Sequence, residues 1–357
     1  MTLIYASIMT RHGHRTPESA LLNITQRGRW YCDEGIELYR EDEEPSFLIH
    51  TGTYNPSNYS FLPNCQGGDL TTIGRRQLRN LGSLYREYYI DKLHLLSKYY
   101  NETEFYAKSS PVDRAFKSAY EFVNGFYPPE FTKQHIHVDA GLSRANPLNL
   151  DVQTCEDYKK VRTDFRNGPT YNEYLEKVWP ILEPAAKIFN LTKTVPHLRY
   201  LCSWTTAFNC ATDAPRPDFF TKEFVEACLG EQVISKFGVY NSSKYGSIGA
   251  SPLFRMFFHD IETSIQSGRK LIYYSAHDAT IASILTFLKK FSKFVPPYAS
   301  HFVIELYRDE NTSKNYLRFF INGENFKVEG FDDYLVPYDE FKERALPKLV
   351  YCKNIPV

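Results

Sequence analysis

Arg11, His12 and Arg15 lie within five residues of one another, in the run Arg11-His12-Gly13-His14-Arg15-Thr16-Pro17. A histidine flanked by guanidinium groups is poorly placed to bind a cation. It is well placed to meet a phosphate, whose oxygens match arginine forks in bidentate fashion. The same surroundings favour neutral imidazole, the form able to attack phosphorus. Gly13 lets the backbone turn and approach closely. Two later segments add to the set. Ser109-Ser110-Pro111-Val112-Asp113-Arg114 brings a third arginine, and Ser275-Ala276-His277-Asp278 brings a further imidazole and a carboxyl group. Arg11, Arg15, Arg114 and His277 can hold the spread charge of a transferring phosphoryl group. His12 can attack it and Asp278 can protonate the leaving oxygen. Taken alone, an Arg-His-Gly triplet is coincidence more often than not, and a His-Asp pair is a helix cap or salt-bridge partner. The reading rests on their placement together.

That placement follows from the elements around them. Apolar strand-like runs at Leu3–Met9, Phe105–Ala107 and Leu271–Tyr274 each break at one of these segments, and a helical pattern follows. Pro111 suits the first turn of the second helix, with Arg114 just inside, and 280–290 reads as helix behind Asp278. Strands alternating with helices predict an α/β fold, a doubly wound, mostly parallel sheet flanked by helices. Such sheets bind ligands outside the carboxyl ends of their strands, which is where all three breaks fall. Asp69-Leu70-Thr71-Thr72 caps a helical stretch running to about Tyr100. Val303–Tyr307 and Tyr316–Ile321 read as strands, and Asn322-Gly323 is a hairpin signal before Phe326–Val328. Residues 150–245 read as helices and loops, a smaller helical cap over the sheet. The expected division is therefore a core of 1–149 and 246–357 and a cap of 150–245, with a loop-rich excursion from the core at 18–68. The acidic run Glu41–Glu44 in that excursion reads as a solvated face.

Composition narrows the class. The 357 residues are 43% apolar and 24% charged, which excludes disordered and fibrous chains, and 16% are aromatic. Forty-two basic residues balance 42 acidic ones, so a sequence-wide grip on nucleic acid or anionic lipid is not expected. No apolar run reaches membrane-spanning length. The seven cysteines are odd in number, and none forms a CxxC pattern. Asn23, Asn58, Asn101, Asn190, Asn241 and Asn311 each begin an N-x-S/T triplet. Cysteines and sequons together favour a secreted or lumenal glycoprotein with disulfides, in the lysosome, Golgi or vacuole. Met1 leads directly into the first strand, which reads as a start standing in for a removed signal peptide or anchor.

The paired motifs Arg11–Pro17 and Ser275–Thr280 resemble those of the histidine acid phosphatases, branch 2 of the histidine phosphatase superfamily. The resemblance extends through Leu70–Gly74, Ser109–Ala115, Tyr298–His301 and Glu305–Tyr307, covering most of the chain outside 150–245. It implies an acid phosphomonoesterase with His12 as phosphohistidine nucleophile and Asp278 as proton donor. Arg11, Arg15, Arg114 and His277 would bind the phosphate, with no metal and no cofactor. The substrate implied is a small-molecule or sugar phosphate monoester, and a homodimer is left open. His14 stands where the family often has an acidic or small residue, which puts contacts beside the nucleophile in question. The family's bridge from mid-chain to C-terminus is matched by Cys155 and Cys352. A looser resemblance to the 2-phosphoxylose phosphatase subgroup implies Cys32–Cys65 and Cys202–Cys210 pairs, leaving Cys228 free. The alternatives are a sugar-specific enzyme of that type, a phytase-like enzyme, a mutase-type phosphoryl transferase and a catalytically silent binding glycoprotein. The phytase-like reading is weakened by the residues after His-Asp, and the mutase reading by its different acid arrangement. Intact His12, Arg114 and Asp278 argue against silence. His135 and His137 read as a structural pair rather than metal ligands, Trp204 and Phe208 as core, and Arg75, Arg76 and Arg79 as a solvated helix face.

Overall fold

The computed structural model describes residues 1–18, 30–32, 60–61, 65–132, 135–140, 146–149, 155–210, 216–241, 247–290 and 292–351. Glu41–Glu44, Asn23, Asn58 and Cys352 lie outside these residues. In chain order the strands are β1 (Thr2–Arg11), β2 (Ser60–Phe61), β3 (Cys65–Gln66), β4 (Phe105–Ser109) and β5 (Val138–Asp139), then β6 (Leu271–Ala276), β7 (His301–Arg308), β8 (Asn315–Ile321), β9 (Glu324–Phe326) and β10 (Val336–Pro337). The helices are α1 (Thr72–Arg86), α2 (Asp113–Phe126), α3 (Glu156–Asn167), α4 (Pro169–Ile188) and α5 (Val195–Cys210), then α6 (Lys222–Val233), α7 (Val239–Asn241), α8 (Ser251–Ser267), α9 (Asp278–Phe287) and α10 (Tyr338–Ala345).

The main sheet runs β10-β8-β7-β1-β6-β4-β5, with β9 paired to β8 and β2-β3 forming a separate ribbon. β1, β6, β4 and β5 are mutually parallel, and β7, β8, β9 and β10 extend the sheet as an antiparallel wing. β1 is buried from Tyr5 to Arg11 because a central strand is covered on both faces. Ala6 and Ile8 pack with α1 and α2, and Tyr5 and Met9 pack with α8 and α9. β6 divides in the same way, Leu271 and Tyr273 to one layer and Ile272 and Tyr274 to the other. The chain leaves β1 toward α1 on one face and leaves β6 into α9 on the other. These two neighbouring strands therefore open a crevice at their carboxyl ends, the switch point of a doubly wound sheet.

Residues 155–210 and 216–241, within the segment read as a cap, carry helices α3–α7. Tyr171, Leu182, Trp204, Phe208 and Phe224 form a hydrophobic cluster there, which Trp30, Cys32 and Cys65 join. Trp204 stacks on Phe208 (4.7 Å, 14°), so both are core residues, as their surroundings in the sequence implied. Asn322 and Gly323 both take left-handed backbone (φ 50° and 82°) in the β8–β9 hairpin, as that dipeptide predicts. His135 and His137 are exposed on either side of buried Ile136, just before β5.

Several expectations are corrected. The first long helix ends well before Tyr100: α1 passes into a π-turn at Glu87–Lys92, and His94 (φ 53°) closes it. Pro111 precedes α2, which is capped at Val112, and α9 begins at Asp278 rather than at 280. Arg75 is buried and Arg79 half-buried, because both reach across to Glu121 of α2 (3.1 and 2.6 Å), a carboxylate with no exposure to water. Only Arg76 is on the exposed face. The Cys32–Cys65 pair is bonded, closing a 33-residue separation. By chain entropy alone such a closure contributes about 3–4 kcal/mol. Cys202 and Cys210 are not paired. Eight residues apart on α5, they are separated by about 12 Å of helix rise, beyond disulfide reach. Cys202 instead neighbours Cys228, which is free as expected. Cys155 is disulfide-bonded and caps α3, its Sγ accepting from the Tyr158 N–H (3.3 Å).

Candidate functional site

The backbone at the end of β1 is tied down on both sides. The Arg11 N–H donates to the Ser300 carbonyl (2.8 Å) and the His12 N–H donates to the Ala276 carbonyl at the end of β6 (2.9 Å). The Ser110 N–H beyond β4 donates to the Ser275 carbonyl (3.0 Å). These bonds carry the sheet's register past its last paired residues. All six residues singled out in the sequence, Arg11, His12, Arg15, Arg114, His277 and Asp278, consequently line one cavity of about 250 Å³.

His12 is held in a single tautomer. Its Nδ1 is 2.8 Å from the Gly13 carbonyl, which can only accept, so the proton resides on Nδ1. Nε2 then presents a lone pair, which accepts from Arg114 Nε–H at 3.1 Å. Burial first, then Arg114 and Arg11, hold the His12 pKa well below its ordinary value, and the ring is neutral. His277 packs edge-on against it (5.5 Å, 68°) and shares a 2.8 Å hydrogen bond with Ser110 Oγ. Burial and then Arg114 bring the His277 pKa to about 3. His277 also caps α9, so the positive end of that helix faces the cavity.

Asp278 lies between two cations. Its Oδ2 is 3.2 Å from Arg11 Nη2 and its Oδ1 is 3.0 Å from Lys236 Nζ. Burial alone would raise its pKa, but Lys236 and Arg11 outweigh that and hold the carboxyl well below the usual range. Lys236 comes from the π-turn Ile234–Gly238 behind α6, so the cap reaches into the site. No local pattern marks this lysine in the sequence; only the tertiary fold brings it here. Arg11 is fixed further by donating to the Pro296 carbonyl (2.7 Å) and by lying over the Tyr298 ring (4.1 Å). Glu18 was likewise unmarked, although its position three residues after Arg15 is a recognisable ion-pair spacing. Its carboxylate bridges Arg15 (3.4 Å) and Arg114 (3.0 Å), which keep its pKa at about 2. It occupies the space between the two arginines as an anion would, and half its side chain is exposed.

His14 does not face the cavity. Its Nε2–H donates to the Ala207 carbonyl of α5 (3.0 Å), and Nδ1 accepts from the Thr71 hydroxyl (2.7 Å). The ring stacks on Trp30 (6.1 Å, 7°) and meets Tyr298 edge-on (5.2 Å, 84°). Burial lowers its pKa to about 4. His14 is thus a neutral tie between the loop after β1 and α5.

The chain as a whole resembles known proteins. The family described as the histidine phosphatase superfamily (branch 2) matches residues 2–322. The chain belongs to that superfamily. As a branch 2 histidine phosphatase it is a phosphoric monoester hydrolase, and its curated relatives include named acid phosphatases. It is 24% identical to Counting factor 60 of Dictyostelium discoideum over 98% of this chain and 87% of that one. It is 25% identical to the lysosomal acid phosphatase of Xenopus laevis over 90% of this chain and 69% of that protein. Among solved structures, the phytase from Klebsiella sp ASR1 matches with a TM-score of 0.67 at 15% identity, covering 100% of this chain and 98% of that one, a likeness of fold. None of the phosphatase's described helices is long and apolar enough to cross a membrane.

Proposed function

We propose that this phosphatase transfers the phosphoryl group of a small monoester to His12 Nε2 and then to water, with Asp278 carrying the proton in both steps. The observation that supports this most is the His12 ring itself, neutral, with its unprotonated Nε2 held by Arg114 and set among Arg11, Arg15 and Arg114 in the cavity. In the first step the Nε2–P bond forms as the P–O bond to the leaving group breaks. The departing oxygen takes a proton from the Asp278 carboxyl. In the second, water attacks phosphorus, gives its proton to the Asp278 carboxylate and releases His12. Arg11, Arg15, Arg114 and His277 hold the phosphoryl oxygens throughout. The Asp278 carboxyl is ionised in the resting enzyme, so its proton must arrive with the substrate. A monoester monoanion brings one, since the second ionisation of a phosphate ester falls near pH 6. Once the phosphoryl group engages Arg11, that cation no longer favours ionised Asp278, and the proton can move across. An acidic working range follows from this. The Cys32–Cys65 disulfide and the exposed Asn190 and Asn311 support a secreted or lumenal setting.

Leaving-group dependence tests the assignment of Asp278. An alkoxide leaving from a sugar phosphate needs a proton as the bond breaks, whereas p-nitrophenolate needs it far less. Asp278→Asn retains the shape but not the proton. Its rate of phosphoenzyme formation should fall by about 100-fold or more on a sugar phosphate, and much less on p-nitrophenyl phosphate. Equal losses on both would make Asp278 a binding residue and require another proton donor.

A further inference from the structure

His277 is neutral, because burial and then Arg114 bring its pKa to about 3, and a neutral imidazole carries a single N–H. Which nitrogen holds that proton decides whether the ring can donate to a phosphoryl oxygen. Nε2 lies 2.8 Å from Ser110 Oγ, and among the described residues nothing else bonds the ring. His277 is the cap residue of α9, yet its side chain accepts from no N–H of that helix, so Nδ1 is not engaged there. The ring lines the cavity. A proton on Nδ1 is available to substrate, whereas one on Nε2 is committed to Ser110.

The surroundings of Ser110 decide between the two. The residue is wholly buried, and its backbone is engaged at both ends. Its N–H donates to the Ser275 carbonyl of β6 (3.0 Å), and its carbonyl accepts from Ser109 Oγ (2.9 Å). Ser110 is thus bonded to the strand that delivers His277, and among the described residues its hydroxyl has one partner, His277 Nε2. If Nε2 carried the proton, the Ser110 O–H would be a buried donor without an acceptor, an arrangement that folded proteins avoid. If the hydroxyl donates instead, both groups are satisfied and the ring proton stands on Nδ1.

We propose that Ser110 is a positioning residue for phosphoryl transfer: its hydroxyl donates to His277 Nε2 and so holds the ring proton on Nδ1, from which it is donated to a phosphoryl oxygen. This rests on the role given to His277 in the reaction proposed above, and adds the residue that selects the donating tautomer. His12 and His277, edge-on at 5.5 Å, then both carry their proton on Nδ1 and have opposite uses. The Gly13 carbonyl takes the His12 proton and leaves a lone pair for phosphorus, while the Ser110 hydroxyl fills the His277 lone pair and leaves a donor.

Nitrogen-15 spectra of histidine-labelled enzyme, with His277 identified by its loss in His277→Asn, test the tautomer without turnover. Nδ1 should be the protonated nitrogen in the wild type and in Ser110→Thr, and Ser110→Ala should lose that preference. Binding of inorganic phosphate by calorimetry, and kcat/KM on p-nitrophenyl phosphate, should each fall by about tenfold in Ser110→Ala, the size of one hydrogen bond to a charged group. Ser110→Thr, which keeps the hydroxyl, should stay within about threefold of the wild type in both. In a His277→Asn background, Ser110→Ala should cost no more than about twofold further, because its effect passes through the imidazole. A wild-type ring protonated on Nε2 overturns the proposal. So does a full loss from Ser110→Ala in the His277→Asn background, or a changed tautomer that leaves phosphate binding and turnover as they were. If the transfer to His12 is wrong and Ser110 is assigned correctly, no phosphoenzyme forms at His12, yet the tautomer and the loss of phosphate binding in Ser110→Ala remain.

Discussion

Asp278 stands as a carboxylate between Arg11 and Lys236 in the resting enzyme, yet the proposed reaction needs it to carry a proton to the leaving group. In the proposed reaction the active complex holds one proton between Asp278 and the ester. In the free enzyme the acid limb of kcat/KM therefore reports Asp278, and the alkaline limb reports the ester's second ionisation. Lys236 is a cation 3.0 Å from Oδ1 and lowers the Asp278 pKa. In Lys236→Gln that pKa rises, so the acid limb should move to higher pH by about one unit while the alkaline limb stays in place. The measurement is a pH profile of kcat/KM on one sugar phosphate for both enzymes. An unmoved acid limb would mean that Lys236 does not set the charge on Asp278. The side chains at the strand ends were legible in the sequence because each is fixed by a strand–loop–helix pattern within a few residues. Lys236 was not, because it reaches Asp278 from the π-turn behind α6, and no local pattern ties that turn to the strand ends. His14 was noticed as a departure, but its role depends on Thr71 and Ala207, remote in sequence.

At the scale of elements, the phosphate loop is set by how closely it lies on the start of α1. A Cβ on Gly13 would stand 2.3 Å from the Gly74 carbonyl oxygen, and one on Gly74 would stand 2.2 Å from the carbonyl oxygen of His14. Both obstacles are backbone, which cannot swing aside. Gly13→Ala should therefore cost about 1–3 kcal/mol, as overpacking does, and should lower kcat by displacing His12. Urea unfolding and steady-state kinetics check both; a change within about 0.5 kcal/mol would mean the loop has room to move. The requirement for glycine at position 13 could be read from the loop, but its partner at Gly74 could not. The same limit explains the arginines of α1. Helical spacing places Arg75 and Arg79 on one face, yet only the packing of α2 makes that face a buried one with Glu121 in it. Hairpin and sheet topology were easier to read, because Asn322-Gly323 and the apolar central strands carry their signals locally.

For the whole molecule, a net charge of zero hides a strongly uneven distribution. Overall balance argues against a sequence-wide attraction for polyanions, and says nothing of a cavity where core and cap each contribute arginines. The cap was recognisable as a helical segment, but its contribution to the site depends on tertiary contacts: Lys236 to Asp278, and α5 to His14. In the proposed reaction core and cap act on one phosphoryl group, and the covalent intermediate on His12 is the event that both would serve. Rapid acid-free quenching of the enzyme with labelled monoester should trap a phosphoenzyme that is acid-labile and base-stable, maps to His12, and is absent from His12→Ala. A full-strength adduct in His12→Ala, or one that is stable to acid, would place the phosphoryl group on another residue and contradict the account.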